Sequence, residues 1–434
     1  MRANILVGAV ALLFAPVIYA VPPIHHWTLD NGVQVYLVEA RQLPMVQLRL
    51  VFDAAASRDV PARRGAACLT NRLLRDGTEQ LDADQVAERF ESLGAEFGTA
   101  CERDMAIVDL RSLTEPDLLE PALSLFAQVV ASPKFPEEAL ERERARTLVA
   151  LQHAEENPAS VVGKAFFKLT YGDHPYSHEP LGSPSDLKAI TRADLVNHHK
   201  RYYVGRNAYL AIVGDVDMKE ARRIANQTVG KLAPGEKAPS LPPAPAIHDP
   251  RREFISFPAS QSHLRLGQAG VTRDDPDYYP LYVGNYILGG GGLVSRLSDE
   301  IREKRGLSYS VYSYFTPMRV RGPFIIGLQT KNSQRDEALE IVRRVVKKFI
   351  AEGPTQQELA AAKKHLTGGF PLRLDSNSKI ADSLAVIGFY GLPLTYLDEF
   401  IPRVEAVTAV QIGDAFRRHI DLEKMVTVMV GGTS

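Results

Sequence analysis

The stretch ITRADLVNHHKRYYVGRNAYLAIVGDVD, residues 190–217, reads as a helix, a turn and an apolar strand that ends in Gly-Asp. The same order returns near the C-terminus in VTAVQIGDAFRRHIDLEKMVTVMVGG, residues 407–432, with a similar distribution of charge. A second pair behaves alike. FPEEALERERARTLVALQHAEENP (135–158) and GPTQQELAAAKKHLTGGF (353–370) each place a Pro near the first turn of an amphipathic helix. Both pairs are offset by roughly 217 residues, and a shared offset is the signature of duplication.

Between the copies lies KLAPGEKAPSLPPAPAIHDP (231–250), a segment whose proline density favours extended, semi-rigid chain over a packed element. Each half opens with strand-like alternation, VQVYLVEARQLPMVQLRLVFDAA (33–55) in the first and EFISFPASQSHLRLGQAGV (253–271) in the second. Strands first and long helices after, without the regular alternation of a doubly wound sheet, predict an α+β class. The expected organisation is two similar α+β domains, 21–230 and 251–434, joined by the Pro-rich linker.

The first twenty residues differ from the rest. MRANILVGAVALLFAPVIYA has a basic start at Arg2, an apolar run from Ile5 to Phe14 and a small residue at Ala20. That is the layout of a secretory signal peptide over 1–20, with the mature chain starting near Val21. No later stretch reaches the ~18 apolar residues of a membrane span. The reading is a soluble, exported protein, most simply periplasmic. With 51 Lys+Arg against 52 Asp+Glu and no basic run, nothing points to nucleic acid. Two cysteines, Cys68 and Cys101, make neither a disulfide framework nor a C-x-x-C.

Five segments occur together in one order: GAACLTNRLLRDGT (65–78), ESLGAEFGTACERDMAIVDLRSL (91–113), LERERARTLVALQHAEENP (140–158), YGDHPYSHEPLGSPSDLKAIT (171–191) and LGGGGLVSRLSDEIREKRGLSYSVYSYF (288–315). In order and spacing they resemble the M16 zinc peptidases, the pitrilysin and mitochondrial-processing-peptidase group, across essentially the whole mature chain. The most specific part is RLSDEIREKRGLSYSV. In that family the helix matching 65–78 carries an inverted H-x-x-E-H. Two imidazoles at i and i+4 share one helix face and hold Zn²⁺, and the Glu activates the bound water. A Glu further along the chain completes the ligand set.

Laid on that pattern, this chain has Cys68 at the first His, Asn71 at the catalytic Glu, Arg72 at the second His and Ala150 at the downstream Glu. Arg72 stays protonated, Asn71 takes no proton and Ala150 has no ligand atom. The resemblance therefore implies that this chain holds no metal, and that zinc is expected in a partner. Other histidines do not rebuild the site. The adjacent pairs His25-His26 and His198-His199 make no i, i+4 clamp. His174 and His178 sit in a Pro-broken loop recurrent in the family and read as surface histidines.

The second half departs less from the family. Arg302 and Tyr309 match the Arg/Tyr pair that reaches over the zinc from the opposite domain. By chemistry alone they read sooner as a helix-surface charge and a ring packed on the sheet. In register with the surrounding motif, they read as donors that hold a substrate carbonyl and its oxyanion. Gly289, Gly290, Gly291 and Gly292 precede an expected helix from about Leu293 to Lys304. Without a following Gly-Lys-[Ser/Thr], the run does not read as a phosphate cradle but as a flexible loop giving close backbone approach or room for substrate, and the resemblance implies the latter. At the family's substrate-pairing edge strand, an Asn-Ala pair is replaced by Gly98-Thr99. The resemblance also places Cys101 on that strand, beneath the zinc helix, which implies a Cys68–Cys101 disulfide. The function implied is a non-catalytic subunit that pairs with an M16 chain bearing an intact H-x-x-E-H, both acting on peptide substrates. The alternative is a stand-alone peptide-binding or assembly protein.

Overall fold

The repeat that opens the sequence is visible in its helix caps. Thr191 starts the Arg192–Tyr202 helix with a capping box to Asp194, and Thr408 starts the Ala409–His419 helix with a capping box to Gln411. Each box satisfies two backbone donors that a helix start leaves free. The computed structural model describes residues 23–432, so the expected signal segment, 1–20, lies outside the described residues.

Among the described residues, eleven strands form two sheets. The first contains β1 (His25–Thr28), β2 (Gln34–Glu39), β3 (Met45–Phe52), β4 (Glu96–Cys101), β5 (Ala106–Leu113) and β6 (Ala208–Gly214). Its order is β1-β2-β6-β3-β5-β4, with β2 parallel to β6 and the other pairs antiparallel. The second contains β7 (Arg251–Ser256), β8 (Gln261–Ala269), β9 (Val311–Phe315), β10 (Pro323–Lys331) and β11 (Val426–Gly431), in the order β7-β11-β8-β10-β9. Apart from β1, the two sheets share one topology, including a single parallel pair. The class is α+β in two similar halves. β4 and β9 occupy equivalent outer edges.

The halves do not keep their helices to themselves. The Pro158–Tyr171 helix of the first half packs on β8 and β11 of the second sheet. There Val162 and Phe166 share an apolar cluster with Ile325, Val426, Val428 and Val430. Gly267 on β8 is where that ring arrives: a Cβ there would stand 3.0 Å from Phe166 Cζ. In return, the Asn377–Tyr390 helix of the second half packs on β3 and β6. Its Ala385 and Phe389 join Val51, Met105 and Ile107.

Polar groups seal the same boundary. The buried Asp104 accepts from Tyr176 Oη at 2.6 Å, from the Arg319 amide at 2.9 Å and from Tyr390 Oη at 3.4 Å. Burial raises its carboxyl above the ordinary range. Asp53 holds Arg58 through two bonds of 2.6 and 2.7 Å, and Arg319 Nε lies 3.2 Å from the same carboxylate.

The 231–250 segment carries no helix or strand and is strapped to the halves by its carbonyls. Ala233 and Pro234 accept from the amides of Gly205 and Arg206, Pro239 from Arg58, and Ala244 from Arg321. Pro242 O lies 2.9 Å from His174 Nε2. His174 is therefore buried, not a surface histidine: its Nδ1 accepts from the Tyr176 amide and its other nitrogen holds the linker. Burial lowers the pKa of both His174 and His178.

Candidate functional site

The Ala66–Arg72 helix is short, and its start is capped from outside. Gly65 has φ +99°, and the Asp59 carboxylate accepts from the amides of Gly65 and Ala67 at 2.7 and 2.8 Å. Burial pushes Asp59 up to about 7, although the two amides favour its anion. Residues Ala66 to Asn71 are all buried, so the helix lies within the first half rather than on it.

Each replaced position on this helix makes a tie to a different neighbour. Cys68 is bonded to Cys101, the last residue of β4, and there is no free cysteine among the described residues. Asn71 Nδ2 donates to Ile107 O on β5 at 3.3 Å. Arg72 Nη1 pairs with Glu143 Oε1 on the Glu137–Glu155 helix, and Arg146 approaches the other oxygen at 3.3 Å. Glu143 is buried, whereas Ala150, two turns further on, is exposed.

Sequence reasoning did not single out Glu143. The segment LERERAR offers two carboxylates, Glu141 and Glu143, and nothing local says which would meet Arg72. These residues do not fit a zinc ion. One sulfur is consumed in a disulfide, the helix cation stands against the nearest carboxylate, and Asn71 is spent on a backbone carbonyl. The chain's own groups at this place are cross-links rather than ligands.

Beside Arg72 opens a groove of about 1540 Å³, bounded in part by Glu96 and Phe97 of β4 and by Glu143 and Arg146. Gly98 and Thr99 lie in the middle of β4, opposite Asp109 and Val108 of β5. The other side of β4 pairs with no strand of the sheet. The nearest atom to a Cβ at Gly98 would be 3.9 Å away, so sterics do not demand glycine there.

The second half brings Arg302 and Tyr309 together. The Arg302 guanidinium lies 4.6 Å from the centroid of the Tyr309 ring and donates to Tyr309 O at 3.3 Å. Tyr309 is 80% exposed, with its hydroxyl end available to another molecule.

The glycine run differs from the expected loop before one continuous helix. Gly289 and Gly290 belong to a widened helical turn, Tyr286–Gly290, that continues the Tyr278–Asn285 helix. The following stretch is a short Gly292–Val294 turn and then, after the extended Ser295, a helical run Arg296–Ser298 that continues into a second widened turn, Asp299–Glu303. A Cβ at Gly289 would stand 2.4 Å from Ser313 Oγ, so that glycine lets the turn close on β9. Gly292, with φ +62° and open space around it, is needed for its backbone conformation.

A family model described as "Insulinase (Peptidase family M16)" matches residues 34–183, and "Peptidase M16 inactive domain" matches 189–366. A solved structure, the peptidase M16 inactive domain from Pseudomonas fluorescens, is 41% identical, covers 95% of this chain and 98% of its own, and has a TM-score of 0.91. The chain belongs to the M16 peptidase family. Among M16 relatives, the non-peptidase homolog YmxG of Helicobacter pylori is 26% identical over 92% of this chain and 91% of its own length. A Rickettsia bellii protein named an uncharacterized zinc protease is 26% identical, covering 88% of this chain and 92% of its own. In this M16 chain Cys68, Asn71 and Arg72 make a disulfide, an amide-to-backbone bond and an ion pair.

Proposed function

We propose that this protein is the non-catalytic subunit of a two-chain M16 peptidase. It supplies Arg302 and Tyr309 to a partner whose own H-x-x-E-H carries zinc, and the two chains hold peptide substrates between them. The carrying observation is asymmetric: every substituted position on the zinc helix serves a cross-link, while the Tyr309 ring, stacked on Arg302, is exposed. A phenol and a guanidinium donate hydrogen bonds without deprotonation at neutral pH, which suits them to a carbonyl whose charge grows during hydrolysis. A disulfide without a free cysteine supports the exported, oxidising setting of the mature chain.

The test is reconstitution with an M16 chain bearing an intact motif. The reading expects that partner to cleave peptides faster with this chain than alone, and slower again with Tyr309→Phe. Equal activity in all three conditions sinks it. A stand-alone peptide-binding protein is the second reading, favoured by the unpaired edge of β4. Its mark is a homodimer that co-purifies with peptide and no protease.

A further inference from the structure

Of the three ties on the Ala66–Arg72 helix, the Cys68–Cys101 bond is the one a redox reaction opens. It anchors the end of β4, an edge strand with a ladder on one side only. β4 needs such support. Its middle residue is Gly98, which weakens a strand, and most of its residues are partly or fully exposed. Besides the ladder to β5, β4 packs on the Ala66–Arg72 helix, Phe97 stacks on Phe90 with centroids 5.0 Å apart and meets Phe126, and Glu96 pairs with Arg111 across to β5. The disulfide closes a 33-residue separation that contains the Ala83–Ser92 helix on the groove wall.

We propose that the Cys68–Cys101 disulfide is a redox-operated clamp on β4: closed, it fixes the strand as an edge on which an extended polypeptide can pair, and open, it lets that edge fray. The proposal rests on the peptide-holding role above. Strand addition needs a row of fixed backbone donors and acceptors, so a fraying edge loses affinity even when every side chain remains.

The reductant is a dithiol. Cys68 is 3% exposed and Cys101 is more open, so the dithiol's thiolate attacks Cys101 Sγ. A mixed disulfide forms there, and Cys68 leaves as a thiolate and takes up a proton. The second thiol then displaces Cys101 Sγ, which is protonated in turn. Two electrons and two protons pass to the protein, and the dithiol departs as its own disulfide.

The experiment uses the full mature chain, oxidised or reduced with dithiothreitol, and a Cys68→Ser/Cys101→Ser variant beside it. Hydrogen exchange is followed at the amides of Gly98, Thr99 and Ala100, with β10 as internal reference. Binding is measured with fluorescent, carboxymethylated insulin B chain as the extended probe. Reduction should speed exchange in β4 at least about tenfold while β10 is unchanged, and weaken the probe by a similar factor. Unchanged exchange in β4 overturns the clamp, and so does equal binding, or none, by both forms. If the double variant does not fold, the reduced native chain still decides. Loss of the partner-activating role would show separately, as a Tyr309→Phe variant that behaves like the native chain, and would leave the exchange result standing.

Discussion

Arg72 and Glu143 form an ion pair between the Ala66–Arg72 and Glu137–Glu155 helices, with the carboxylate buried and the guanidinium partly open. Arg72→Met should destabilise the fold by about 1–3 kcal/mol, because it leaves a buried carboxylate with only the outlying Arg146 for company. Adding Glu143→Gln should recover part of the loss. Urea unfolding of the two variants against the native chain measures both effects, and additive losses would show that the pair is not coupled.

Tyr309 and Arg302 predict the opposite pattern. Tyr309 projects into solvent, so Tyr309→Phe should leave unfolding within about 0.5 kcal/mol of the native chain. In a reconstituted peptidase the same change should lower kcat by about a hundredfold, the usual cost of removing one oxyanion donor. A loss confined to KM would instead assign the pair to substrate holding.

Acid should weaken the first half through His198. Its ring is buried, its Nε2 lies 2.8 Å from Ala54 O, and burial lowers its pKa to about 4. Between that value and the ordinary 6.5, the unfolded chain binds the proton and the folded one does not. The contribution of His198 is therefore complete above about pH 6.5 and is lost as pH falls towards 4, by up to about 3 kcal/mol. Asp59, raised to about 7, acts in the reverse sense over part of that range, so total stability is not the readout. The difference between native and His198→Gln chains, followed by urea unfolding from pH 7 to 4.5, isolates it and should shrink with acid.

Much of this was legible from residue types alone. The repeat of a helix, a turn and an apolar strand declares two α+β halves, because periodicity is a local property. That Arg72 offers no ligand atom is legible for the same reason: a guanidinium stays protonated in any fold. The Asp104 cluster and the Arg72–Glu143 pair are not legible, since nothing local says which carboxylate meets which donor. The break in the 293–304 helix was missed because nothing local shows that the widened turn at Gly289 closes on Ser313 of β9, or that Ser295 is extended. His174 looked like a loop histidine, and only the linker crossing above it explains its burial.

The helix exchange was hidden in the same way, and it sets the last prediction. An amphipathic helix declares that one face is buried, but not against which sheet. The Pro158–Tyr171 helix presents Val162, Phe166 and Tyr171, all buried, to elements of the second half. A chain cut at the Pro-rich linker would leave those groups in water while β8 and β11 lost their cover, and the second fragment would lose β3 and β6 beneath Phe389. Burying one such side chain is worth about 1.5–3 kcal/mol, and a domain's whole margin is only about 5–15 kcal/mol. Fragments 23–230 and 251–432 should therefore each be collapsed and aggregation-prone alone, despite their shared topology, and should regain native near-ultraviolet dichroism only when refolded together. The intact chain should unfold in one transition, with tyrosine fluorescence and far-ultraviolet dichroism coincident. Two separated transitions, or a stable monomeric first fragment, would show that the exchanged helices are decoration on independently folding halves.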